Sequence, residues 1–120
     1  MALVSLTYNL MRGYTMKIYL GNAFSGNMVI GHAMIEKDDL SEDTAQALAE
    51  RAQSCIGHAQ TANILSKRWG FPVACNRTNI RLEAGDILIT ASANQRLPEG
   101  ATELPPGVEL VFQRWIVKSN

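Results

Sequence analysis

The sequence predicts a single α/β domain, a mixed β-sheet flanked by α-helices. Three observations carry that expectation. The chain has 120 residues, inside the range of roughly 100–150 where single domains centre. Between residues 38 and 69 its apolar residues recur at helical spacing. From Thr78 onward the pattern changes to β-prone runs broken by turn residues.

The elements can be justified in order. Residues 1–15, MALVSLTYNLMRGYT, read as an N-terminal extension before a domain spanning 16–120. They carry no targeting signal: Ser5, Thr7 and Asn9 interrupt the apolar run, and the sole basic residue, Arg12, comes late. Met11 and Met16 both offer alternative starts. Lys17-Ile18-Tyr19-Leu20 is an opening strand, broken by Gly21-Asn22, and residues 21–27 form a loop of small and amide side chains. Met28 to Ile35 is apolar, a second strand or extended segment interrupted by Gly31.

Residues 38–56 read as the clearest helix. Ser41 is a candidate N-cap, Glu42 and Asp43 suit the first turn, and Ala45, Leu48, Ala49, Ala52 and Ile56 share a face that Gly57 ends. A second helix is expected from His58 to Trp69, stopped by Gly70 and Phe71-Pro72. Thr78 to Leu82 then reads as a strand, residues 83–86 as a turn, and Ile87 to Thr90 as the returning strand. Residues 94–107 hold three of the four prolines and form a long loop, and Val108 to Val117 is the last strand. No internal repeat or low-complexity segment is visible. There is no G-x-G-x-x-G after the first strand and no P-loop, so a dinucleotide fold is excluded.

Composition excludes further classes. With 47% hydrophobic and 18% charged residues the chain can bury a core. No run approaches the roughly 18–20 apolar residues of a membrane helix. Eleven basic and eleven acidic side chains cancel, which argues against coating duplex nucleic acid. The balance hides a split: residues 36–50 carry six acids against Lys37, and residues 67–81 carry Lys67, Arg68, Arg77 and Arg81 with no acid. The acidic run reads as the solvated side of the first helix. Cys55 and Cys75 are too few for a disulfide framework and read as reduced thiols of a cytoplasmic protein. A zinc site joining Cys55, His58, Cys75 and His32 would lack the paired-cysteine knuckles such sites use.

Four places can carry chemistry. At Ile56-Gly57-His58-Ala59-Gln60-Thr61 a histidine falls at a helix start, where free N–H groups attract a phosphate and an imidazole can act as general acid. The alternative is a histidine that caps or packs a helix junction. In Gln95-Arg96-Leu97-Pro98-Glu99-Gly100, Arg96 can fork onto a phosphate and Glu99 can orient a hydroxyl or accept its proton; the alternative is a surface Arg96–Glu99 ion pair. Asn22, Ser25 and Asn27 offer hydrogen bonds to bases, ribose or phosphate, or simply build a turn. Asn76-Arg77 precedes a strand, where Arg77 can reach a phosphate. His32, beside Gly31, reads as structural. Such a set suits metal-free cleavage of RNA, in which a ribose 2′-hydroxyl attacks its own phosphate.

These pieces, in this order, carry a resemblance. The run Lys17 to Ser25, Ile56-Gly57-His58 with Thr61, Asn76-Arg77 and Gln95 to Gly100 closely resemble the type III anti-CRISPR ring nucleases of archaeal viruses and bacteriophages, which have cellular relatives in type III CRISPR loci. The resemblance spans about residues 16–118. It implies a homodimer that binds cyclic tetra-adenylate in a pocket across its interface. It also implies cleavage without metal or cofactor, by the 2′-hydroxyl route, to linear di-adenylate ending in a cyclic phosphate. By the same resemblance His58 is the general acid, Arg96 stabilises the phosphate and Glu99 positions the histidine or the ribose. Asn22, Ser25, Asn27, Gly57, Thr61, Arg77 and Gln95 fall at ligand-binding positions. The expected location is the cytoplasm, the host's if the protein is viral, with no membrane partner and no stable duplex binding. A nucleotide-sequestering module and a viral nucleic-acid-binding regulator are the alternatives.

Overall fold

The structure is a computed structural model that describes residues 16–118; the proposed extension 1–15 lies outside the described residues. Strand β1 (Ile18–Gly21) is followed by a 3-10 turn (Gly26–Met28), β2 (Met34–Leu40), α1 (Glu42–Ala49), β3 (Gln53–Ser54), α2 (Ala59–Trp69), β4 (Ile87–Ala93) and β5 (Leu110–Lys118). The strands form one sheet in the order β2-β5-β4-β1-β3. β1 runs parallel to both β3 and β4, whereas β5 is antiparallel to β4 and β2. The sheet is therefore mixed, and the α/β class holds.

Side-chain alternation along the strands builds two cores, one on each face. On one face Leu20, Ile89, Ala91 and Phe112 meet Ala45 and Ala49 of α1 and Ala62, Leu65 and Trp69 of α2. On the other, Tyr19, Leu88 and Val117 are covered by loop residues, among them Phe24, Val29, Ile80 and Leu82. Phe24 stacks on Trp115 with ring centroids 4.8 Å apart, and the Trp115 indole donates to Thr90 Oγ1 at 3.0 Å. Helices thus cover one face and loops the other.

Three expectations need correction. The second strand begins at Met34 and continues to Leu40 rather than ending at Ile35. Its carboxylates are not a helix surface. Asp38 pairs with Arg114 at 2.6 Å and Glu36 with Lys118 at 3.1 Å, and Gln113 donates to Asp39, all across the β2–β5 ladder. The partners lie at the far end of the chain, so no local pattern could reveal them.

The first helix is shorter than residues 38–56. Ser41 is its N-cap as expected, accepting from the Thr44 N–H at 3.2 Å, but the helix stops at Ala49. The chain must return beside β1: Cys55 donates its N–H to the Leu20 carbonyl at 2.8 Å. Ile56 keeps helical spacing and is fully buried, but it reaches the core from an extended bridge to Cys75.

Residues 78–82 form no strand and no hairpin with Ile87–Thr90. β4 has its central residues Leu88 to Ala91 buried on both faces, so it is an interior strand between β1 and β5. The turn at 83–86 is present, with Asp86 N–H bonded to the Glu83 carbonyl at 2.9 Å. The second helix ends as expected at Gly70, whose φ of 75° is left-handed.

Candidate functional site

β1 and β4 are parallel neighbours, so their C-terminal ends open on the same side. Crevices outside the carboxyl ends of parallel strands are where open α/β sheets bind ligands. A cavity of about 480 Å³ lies there. Asn22 and Ala23 follow β1, Ser92 and Ala93 end β4, His58, Gln60 and Thr61 come from the start of α2, and Gln95, Arg96 and Leu97 open the loop after β4.

The local folding explains each placement. His58 is the N-cap residue of α2, extended at φ −114° and ψ 118°, and its side chain makes no capping bond. The imidazole is exposed, and it lines the cavity instead of serving the helix. Thr61 is buried at 6% exposure. Asn22 Oδ1 accepts the Gly57 N–H at 2.9 Å, which ties the loop after β1 to the turn before α2. Gly57 lies close to the Arg77 stem: a Cβ there would lie 3.3 Å from Arg77 Cγ, so the arginine would have to shift by a few tenths of an ångström. The Arg77 stem therefore packs behind the turn and lies outside the cavity lining.

The loop carrying Arg96 is anchored at its base. Asn94 N–H donates to the Glu109 carbonyl and Asn94 Oδ1 accepts from Glu109 N–H, both at 3.0 Å. Farther along, Lys67 of α2 pairs with Glu103, and Lys67 holds the Glu103 carboxyl below the usual carboxylate range. Gly100 takes a φ of 76°. Among the described residues neither Arg96 nor Glu99 is ion-paired, so the surface-pair alternative is absent here. Both side chains are exposed.

Of the ten expected site residues, the cavity gathers Asn22, His58, Thr61, Gln95 and Arg96. Gly57 shapes the turn behind it. Glu99 sits on the same loop as Arg96 without lining the cavity. Ser25 and Asn27 open instead on a second cavity of about 360 Å³, with Thr78, Asn79 and Arg81. Ser25 caps the 3-10 turn between the two cavities in sequence, accepting from Asn27 N–H at 3.3 Å. Sequence reasoning missed Gln60 and Ser92. Ser92 carried a readable signal, a hydroxyl near the end of the otherwise apolar run Ile87 to Ala93.

The cavity lining presents amides, hydroxyls, an imidazole and one guanidinium, and no carboxylate. That donor-rich set suits an anion with hydroxyls and base edges. Among the described residues no three His, Cys, Asp or Glu side chains come together as a metal cage, and no helix is long and apolar enough to cross a membrane.

Comparison with known proteins adds identity to this geometry. No curated protein matches the chain. Among solved structures, B116 of Sulfolobus turreted icosahedral virus superposes with a TM-score of 0.73 and 27% sequence identity, over 83% of this chain and 98% of that one. The STIV B116-like family matches residues 18–106, a span that takes in all ten expected site residues. The chain belongs to the STIV B116-like family.

Proposed function

We propose that this protein is a ring nuclease that binds cyclic tetra-adenylate and opens it without metal, switching off the second messenger of type III CRISPR defence. The observation that carries the reading is the convergence of His58, Arg96, Asn22, Thr61 and Gln95 on one cavity from elements distant in sequence. In this mechanism a ribose 2′-hydroxyl attacks the adjacent phosphorus and the bond from phosphorus to the 5′-oxygen breaks. Arg96 holds the charge that builds on the phosphoryl oxygens. His58 gives a proton to the leaving 5′-oxygen. Glu99, three residues beyond Arg96, positions the ribose or the histidine, and the proton of the attacking 2′-hydroxyl passes to its carboxylate or to water. The product ends in a 2′,3′-cyclic phosphate.

A ring of four phosphates is itself two-fold symmetric, and a homodimer would present each of these residues twice. Val111, 44% exposed and paired with Ser92 at the cavity rim, offers apolar contact for a second copy.

The test is incubation with cyclic tri-, tetra- and hexa-adenylate in EDTA, followed by product analysis. Linear di-adenylate from the tetramer is the expected product. His58→Ala should still bind the ring and cleave it at least about 100-fold more slowly, the usual range for losing a general acid. A ring that is bound but never cut by the parent protein would instead identify a sequestering module.

A further inference from the structure

A cavity that takes an adenylate ring must tell adenine from the other bases. Adenine has a distinctive edge, its 6-amino donor beside the N7 acceptor. Reading both at once needs an acceptor and a donor held side by side, and among side chains only a carboxamide carries the two on one plane. The lining of the His58 cavity holds three carboxamides, Asn22, Gln60 and Gln95.

The three are not equivalent. Asn22 has its Oδ1 engaged by the Gly57 N–H at 2.9 Å, so its acceptor already serves the turn before α2. Gln95 is exposed and stands on the loop after β4, where no helix or strand fixes it. Gln60 stands in the first turn of α2. Its neighbours Thr61, Ala62, Ile64 and Leu65 are each at most 6% exposed, so the helix that carries it is seated in the core. A group borne on such an element is held more precisely than one on a loop. Gln60 is itself partly buried, and its carboxamide has no hydrogen-bond partner among the described residues. The other polar groups of the lining discriminate poorly: the Thr61 and Ser92 hydroxyls rotate to donate or accept, and the Arg96 guanidinium only donates.

We propose that Gln60 reads the base, its Oε1 accepting from the adenine 6-amino group and its Nε2 donating to N7. This rests on the ring-nuclease reading and gives the same cavity its base specificity. Guanine would set its O6, an acceptor, against Oε1, and the pyrimidines have no N7. The roles in the cavity then divide: Arg96 and His58 address the phosphate and the leaving oxygen, and Gln60 addresses the base.

The test is binding, measured by calorimetry on the His58→Ala background so that the ring stays whole. The probes are cyclic tetra-adenylate and its 7-deaza analogue, in which a C–H replaces each N7. With Gln60 present the 7-deaza ring should bind about tenfold or more weakly, the scale of a lost paired base contact. Gln60→Leu should weaken cyclic tetra-adenylate by a similar factor and bind the two rings equally. Gln60→Glu keeps an acceptor for the amino group but turns a second oxygen toward N7, so it should reverse the order and prefer the 7-deaza ring. Equal binding of the two rings with Gln60 present overturns the proposal. So does a Gln60→Leu variant that keeps the full preference for cyclic tetra-adenylate. Failure of the parent protein to bind either ring would instead overturn the ring-nuclease reading itself, and the assignment of Gln60 with it.

Discussion

The hydrogen bond from Gly57 N–H to Asn22 Oδ1 joins two motifs 35 residues apart and brings them to one cavity. His58, Arg96 and Asn22 could be picked out in the sequence because each stands at a strand or helix end, and such ends converge in parallel sheets. Ser25 and Asn27 could not be sorted from Asn22, since adjacency along a loop says nothing about which way a 3-10 turn sends the next side chain. The two thiols differ in the same context-dependent way. Burial pushes the Cys55 thiol above its ordinary range, where it packs against Gly21, whereas Cys75 is exposed. Alkylation at neutral pH, read by peptide mapping, should modify Cys75 first and Cys55 about tenfold or more slowly, because only an accessible thiolate reacts. Cys75→Ser should leave the slow phase alone; two equal rates in the parent protein would show that Cys55 is not shielded.

Elements were legible where their signals were local. The caps Ser41 and Gly70 marked real helix ends, and the run Ile87 to Thr90 marked a real strand. The strand β2 was hidden because its acids are balanced by β5, 74 or more residues away. One such remote partner also ties the two helices. Glu42, in the first turn of α1, accepts from the Arg68 guanidinium and from the Trp69 indole at 3.0 Å, both near the end of α2. The bond from Arg68 is the main cause holding the Glu42 carboxyl below its usual range, opposed by partial burial. A carboxylate depressed in the folded state contributes stability that is complete above its unfolded value, about 4.3, and lost as pH falls through the folded one. Glu42→Gln should therefore lower the melting temperature at pH 7. The contribution is at most about 1 kcal/mol, because both side chains meet solvent. The gap should close in acid below the ordinary carboxylate range. A gap of the same size at neutral and strongly acidic pH would assign the loss to packing rather than to charge.

At the scale of the whole molecule, the class was readable from length and periodicity, but the parallel pairing of β1 with β4 was not. Those strands are separated by more than sixty residues, and a turn at 83–86 looked like a hairpin until its neighbours were known. Asp86 is the residue on which that long-range closure turns. It is fully buried. Its Oδ1 accepts from Lys17 N–H at the start of β1, and its Oδ2 accepts from Glu83 N–H at 2.8 Å. Its carbonyl accepts from Val117 N–H near the end of β5. One side chain thus connects the beginning of the described chain to the turn before β4. Asp86→Ala would strand two backbone donors in the interior, and each unsatisfied donor costs roughly 1–3 kcal/mol. The expected loss is about 2–5 kcal/mol, read as a lower urea midpoint. Asp86→Asn retains one acceptor oxygen and should fall between Ala and the parent. Asp86 lies at the end of the sheet away from the His58 cavity, so under the ring nuclease proposal any ring binding measured well below the unfolding transition should be unchanged in both variants. If the parent binds the proposed ring, a variant that kept its urea midpoint but lost that binding would mean that Asp86 acts on the site and not on closure of the sheet.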